Sequence, residues 1–74
     1  MALSHLKIMD ALYNAGKIFK SEFSNYSRSA ESFEELNKRY PGNIYLLSAY
    51  FDLYDLYELI GDREKSNYYR NLII

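Results

Sequence analysis

The sequence predicts an all-α fold of four helices in two antiparallel hairpins, and three observations predict it. Apolar residues recur at three- and four-residue steps along nearly the whole chain. Breakers fall at the three places where those stripes stop. No segment sustains the period-two alternation of a half-buried strand, and the only Val/Ile-type cluster is at the C-terminus.

Each helix has its own stripe. Ile8, Leu12, Ala15, Phe19 and Phe23 predict a first helix over about 4–23, and Tyr26, Ala30, Phe33, Leu36 and Tyr40 a second over about 27–40. Leu46, Tyr50, Leu53, Tyr57 and Ile60 predict a third over about 44–60; Tyr69, Leu72 and Ile73 end a fourth over about 63–73. Ser24-Asn25 separates the first pair and Pro41-Gly42-Asn43 the middle pair, where Pro41 cannot continue a helix. In Gly61-Asp62 the glycine tolerates the positive φ of a helix end, and the aspartate can cap the next start. Linkers this short force neighbouring helices to run antiparallel.

Composition bounds the function. Seventy-four residues bury roughly 60% of the extended chain's surface, which is one small core and a single domain spanning 1–74. With 49% hydrophobic residues the chain has enough apolar surface to fold. Nine basic residues against ten acidic ones, the basic ones scattered singly except for the pair Lys38-Arg39, provide no field to gather nucleic acid. The absence of cysteine removes disulfides, thiolate metal sites and thiol catalysis, and is compatible with cytosol or periplasm alike. The longest dense apolar stretch, Tyr45 to Phe51, is far short of the ~20 residues that span a bilayer. The start of the chain has no signal-peptide pattern, so a soluble domain without membrane insertion is expected.

The two hairpins resemble each other. Leu12-Tyr13-Asn14-Ala15-Gly16 to Phe19 aligns with Tyr50-Phe51-Asp52-Leu53-Tyr54 to Tyr57 at an offset of about 38, and Ser29 and Leu36 align with Ser66 and Ile73 at about 37. The offset changes because the first hairpin has one more loop residue. The repeat units are then about 4–41 and about 44–74.

The string from Leu12 to Phe19, followed by Ser29, Phe33, Leu36 and Pro41, resembles the tetratricopeptide (TPR) repeat, as do Phe33-Glu34-Glu35-Leu36 and Arg39-Tyr40-Pro41-Gly42-Asn43. The resemblance implies hairpins stacked as a fragment of a right-handed solenoid. Four residues depart from the family pattern. Tyr54 stands where a glycine is preferred, Ser29 and Ser66 where alanine is usual, and Arg70 where an aromatic is expected, with Tyr69 just before it. The long step from Pro41 to Tyr50 looks like the subclass in bacterial periplasmic and outer-membrane-associated proteins, including repeat lipoproteins of gliding motility and type IX secretion. A periplasmic or outer-membrane-associated place is what that resemblance implies; without it the chain would be cytoplasmic.

No catalytic, cofactor-binding or metal-binding set emerges. His5 is the only histidine and reads as a surface residue. Glu31, Glu34 and Glu35 on one helix read as a solvated face rather than an acid/base pair, and Gly16, Gly42 and Gly61 are isolated rather than a phosphate loop. Tyr50, Tyr54, Tyr57, Tyr68 and Tyr69 read mostly as core between hairpins. The expected role is therefore non-catalytic binding of a protein or peptide. By the resemblance, the first helix of each hairpin lines a groove, offering Tyr13, Asn14, Lys17 and Lys20 from one unit and Phe51, Asp52, Asp55 and Glu58 from the other. The two sets carry opposite charge, so they either pair with each other or read a partner bearing both signs. Leu72-Ile73-Ile74 leaves an apolar end that expects a cap, a further unit or another copy of the chain. The alternative function is thus a self-associating structural module.

Overall fold

The computed structural model describes residues 3–74, with side chains from residue 6 onward, so the side chain of His5 lies outside the described residues. Four helices follow in order: α1 (Leu3–Ser21), α2 (Tyr26–Arg39), α3 (Leu46–Ile60) and α4 (Arg63–Ile73). No strand occurs among the described residues. α1 packs on α2, α2 on α3 and α3 on α4, in a body of 37 × 29 × 14 Å. Both helix pairs are antiparallel. Late α1 meets early α2 where Ser29 Oγ donates to the Gly16 carbonyl at 2.6 Å. Early α3 meets late α4 where the rings of Tyr50 and Tyr69 lie 6.0 Å apart.

The linkers explain the small departures from the expected boundaries. α1 stops at Ser21 because Ser24 takes a left-handed backbone (φ 50°) and Asn25 N–H turns back to the Phe19 carbonyl at 2.8 Å. Phe23 therefore leaves the helix and is 68% exposed instead of completing the first stripe. Asn25 then caps α2, accepting from Arg28 N–H at 3.2 Å. Ahead of α3, buried Asn43 holds the turn. Its amide donates to the Tyr40 carbonyl (2.7 Å) and its side-chain oxygen accepts Tyr45 N–H (2.8 Å). That turn keeps Ile44 and Tyr45 out of the helix, so α3 begins at Leu46 rather than 44. Gly61 ends α3 at φ 92°, and Asp62 caps α4 through Lys65 N–H at 3.2 Å.

The core is built mainly by α2 and α3. Ala30, Phe33, Leu36, Ala49, Leu53 and Leu56 are essentially inaccessible, joined by Tyr57 and Tyr69. Hairpin one closes on a backbone-to-ring contact: a Cβ on Gly16 would stand only 2.7–2.8 Å from the Phe33 ring. Hairpin two closes on aromatics, with Tyr57 and Tyr69 stacked at 5.9 Å and 2°. α1 departs from the expected pattern. Its buried residues are Met9 and Gly16, while the predicted stripe of Ile8, Leu12, Ala15 and Phe19 is exposed or half-buried. The reason is position. α1 packs chiefly on α2 and meets α3 through the Lys17 and Lys20 ion pairs, so its apolar stripe is left exposed or half-buried.

Candidate interaction surface

Three groups of side chains join the hairpins and decide which surfaces remain free. The first is an ion-pair ladder between α1 and α3. Lys17 Nζ lies 2.8 Å from Asp52, and Lys20 Nζ lies 2.7 Å from Asp55 and 3.7 Å from Asp52. Partial burial lowers the pKa of Lys17, but the hydrogen bond and charge of Asp52 outweigh it and hold the ammonium above its ordinary value. Four of the eight sequence-named residues are thus paired with one another.

The second group surrounds Tyr13. Tyr45 stacks on its ring at 4.1 Å and 6°, and Phe33 meets it edge-on at 5.7 Å. Lys17 Nζ sits 5.3 Å from the same ring centre. The Tyr45 hydroxyl donates to Asp10 on α1, and that hydrogen bond raises its pKa. The long linker therefore lays one tyrosine across the first unit, and Tyr13 is half-buried beneath it.

The third group was not legible as a site in the sequence. Glu34 accepts from two tyrosine hydroxyls of the second hairpin, Tyr57 and Tyr69, each at 2.8 Å. Burial first, and the Glu34 hydrogen bonds second, push both phenols well above their usual range. This corrects the reading of Glu31, Glu34 and Glu35 as a uniformly solvated face. Glu31 is exposed, Glu35 pairs with Arg39 at 2.8 Å, and Glu34 latches the two hairpins together. The available signal was the reading of Tyr57 and Tyr69 as core between hairpins, which does not reveal their acceptor. Tyr68, by contrast, is 59% exposed and outside the core.

The residues left free lie chiefly on α3. Phe51 is 53% and Leu47 58% exposed, on one helical face with Glu58. Asn14 and Glu58 are exposed, and their side chains make no hydrogen bond or ion pair among the described residues. Asp55 uses one oxygen on Lys20 and otherwise faces outward. Elsewhere, Leu12, Glu31, Ser32, Glu34, Glu35 and Lys38 line an open, shallow depression of about 500 Å³. Among the described residues no group of three His, Cys, Asp or Glu could hold a metal ion, and no helix is long and apolar enough to cross a membrane. At the C-terminus Ile73 is half-buried, while Leu72 and Ile74 are exposed. Compared with known proteins, the chain matches no family model, and no curated protein or solved structure is similar to it.

Proposed function

We propose that the chain is a non-catalytic protein-interaction module of TPR-like design, two stacked repeat units whose reading surface is the α3 face bearing Leu47, Phe51, Asp55 and Glu58. One observation carries this reading. At the repeat offset of 38, Met9 and Tyr13 on α1 correspond to Leu47 and Phe51 on α3. Met9 is 3% exposed and Tyr13 lies beneath Tyr45, whereas Leu47 and Phe51 are more than half exposed. The same positions are therefore covered in one unit and open in the other, which suits an incoming helix or peptide.

The chemistry of that surface selects a partner. Asp55 and Glu58 are three residues apart, beside two apolar side chains. An amphipathic helix with basic residues three or four apart, flanking an apolar stripe, matches it in charge and shape. Lys17 and Lys20 already present that spacing to Asp52 and Asp55 from within the chain. A place in a bacterial cell-envelope secretion or motility assembly rests on the sequence resemblance alone.

Titrating a basic amphipathic helical peptide into isotope-labelled protein tests the reading. Saturable NMR shifts confined to Leu47, Phe51, Asp55 and Glu58, absent with the charge-reversed peptide and lost in Phe51→Asp, are expected. No saturable shift, or shifts centred on the Glu31–Lys38 depression, would overturn it.

A further inference from the structure

Two surfaces of this chain are the separated halves of an interface that it already contains once. Shifting by 38 residues carries the α1 stripe Ile8, Leu12, Ala15, Phe19 onto the α3 stripe Leu46, Tyr50, Leu53, Tyr57. On α3 that stripe is buried or half-buried between the first hairpin and α4; on α1 Leu12, Ala15 and Phe19 are only half-buried, and Ile8 and neighbouring Ile18 are 37% and 48% exposed. Ile18 corresponds to Leu56, which is fully buried. The α1 face is thus shaped to be received, and the Leu47–Phe51 face is shaped to receive.

From this we infer that the α1 face of a second copy of this chain docks on the open α3 face of the first, head to tail, in the register of the internal stacking. The inference rests on the reading of α3 as the binding surface and names its occupant. Charge supports the register. Transposed by 38, the Lys20–Asp55 ion pair becomes Glu58 of one copy against Lys17 of the next, so the signs exchange sides and still oppose. The Tyr13–Tyr45 stack becomes Phe51 against Lys7, an aromatic face under an exposed cation.

The contact is weaker than the internal one, for a reason visible in α4. At an offset of 37, Ala30, Phe33 and Glu34 become Asn67, Arg70 and Asn71. The apolar plug and the tyrosine latch have no counterpart there. Association is therefore reversible and concentration-dependent, and as a heterologous contact it grows beyond a dimer.

Sedimentation velocity on the full chain, from about 10 µM to about 1 mM, reads this directly. The wild type should grow past dimer with concentration. Ile18→Asp and Phe51→Asp, both at half-exposed positions, should each remain monomeric with unchanged helicity and melting. Mixed in equal amounts they should form a 1:1 dimer and stop, because each retains the face that the other lost. Glu58→Lys should weaken association about tenfold, and added salt should weaken the wild type. A wild type that stays monomeric throughout, a growth that neither aspartate variant stops, or a mixture that fails to pair would overturn the inference. If the wild type stays monomeric while the basic peptide still binds α3, only the second copy is excluded. If neither binds, the α3 surface falls with it.

Discussion

Hairpin one and hairpin two follow the same sequence pattern and close by different physics. In the first, Gly16 lets the Phe33 ring sit against the α1 backbone, and Ser29 Oγ reaches across to the Gly16 carbonyl. In the second, the corresponding residues are Tyr54, Arg70 and Ser66. Tyr54 is half-buried against the core, Arg70 is exposed, and Ser66 Oγ donates within its own helix to the Arg63 carbonyl at 3.2 Å. Closure is taken over by Tyr50, Tyr57 and Tyr69, with Lys65 5.0 Å from the Tyr57 ring centre. Two hairpins with one sequence pattern thus close on different side chains.

The largest effect should come from the aromatic plug. Phe33→Ala removes a side chain with no exposed surface and should cost about 3–5 kcal/mol, while Arg70→Ala at the matching position should stay within about 0.5 kcal/mol. Since a chain of this length is stable by roughly 4–11 kcal/mol, Phe33→Ala should show a much lower urea midpoint by circular dichroism. Equal losses at the two positions would mean that the hairpins close alike.

Next comes the latch that couples the units. Glu34→Ala leaves two phenols without their acceptor and should cost about 2–3 kcal/mol. The latch also sets a pH window. Both phenols have folded pKa values raised above 10.0, so the stability they contribute is complete below pH 10 and falls as the pH rises through the folded values. Urea unfolding across alkaline pH should show that fall. Glu34→Gln should end that fall at a lower pH and reduce its total without abolishing it, because burial, the larger cause, remains. An unchanged total fall in Glu34→Gln would show that the carboxylate does not raise the two phenols.

Smaller effects separate the glycines and the ladder. Gly16→Ala forces its new methyl against the Phe33 ring and should cost about 1–2 kcal/mol despite alanine's better helix propensity. Gly42→Ala, with open space around the new methyl, should be near neutral. Thermal melts of the pair would show whether close approach or chain flexibility matters. Smallest is the ladder, where Lys17→Met should cost about 0.5–1 kcal/mol and lose that difference at high salt.

Much of this was legible in the sequence. The three- and four-residue periodicity located all four helices, and α4 took its expected bounds of 63–73 because Asp62 and Gly61 are local signals. The ladder was visible as two oppositely charged sets on equivalent helices. What remained hidden depended on neighbours. The first stripe reads like the third, yet the third is the better covered, because α1 packs chiefly on α2 whereas α3 packs on both α2 and α4. Likewise Glu34 is indistinguishable in sequence from Glu31 and Glu35, and only the approach of Tyr57 and Tyr69 singles it out.

Local rules therefore determined the helices, their caps and the repeat offset, since hydrogen-bonding chemistry and φ preferences act within a few residues. Tertiary structure decided which apolar faces are core and which are open, because burial depends on which helix stands opposite. It also decided that Tyr45 would cover Tyr13 and that the matching Phe51 would stay exposed. That asymmetry between two similar units leaves Leu47 and Phe51 exposed on α3 where their counterparts on α1 are covered.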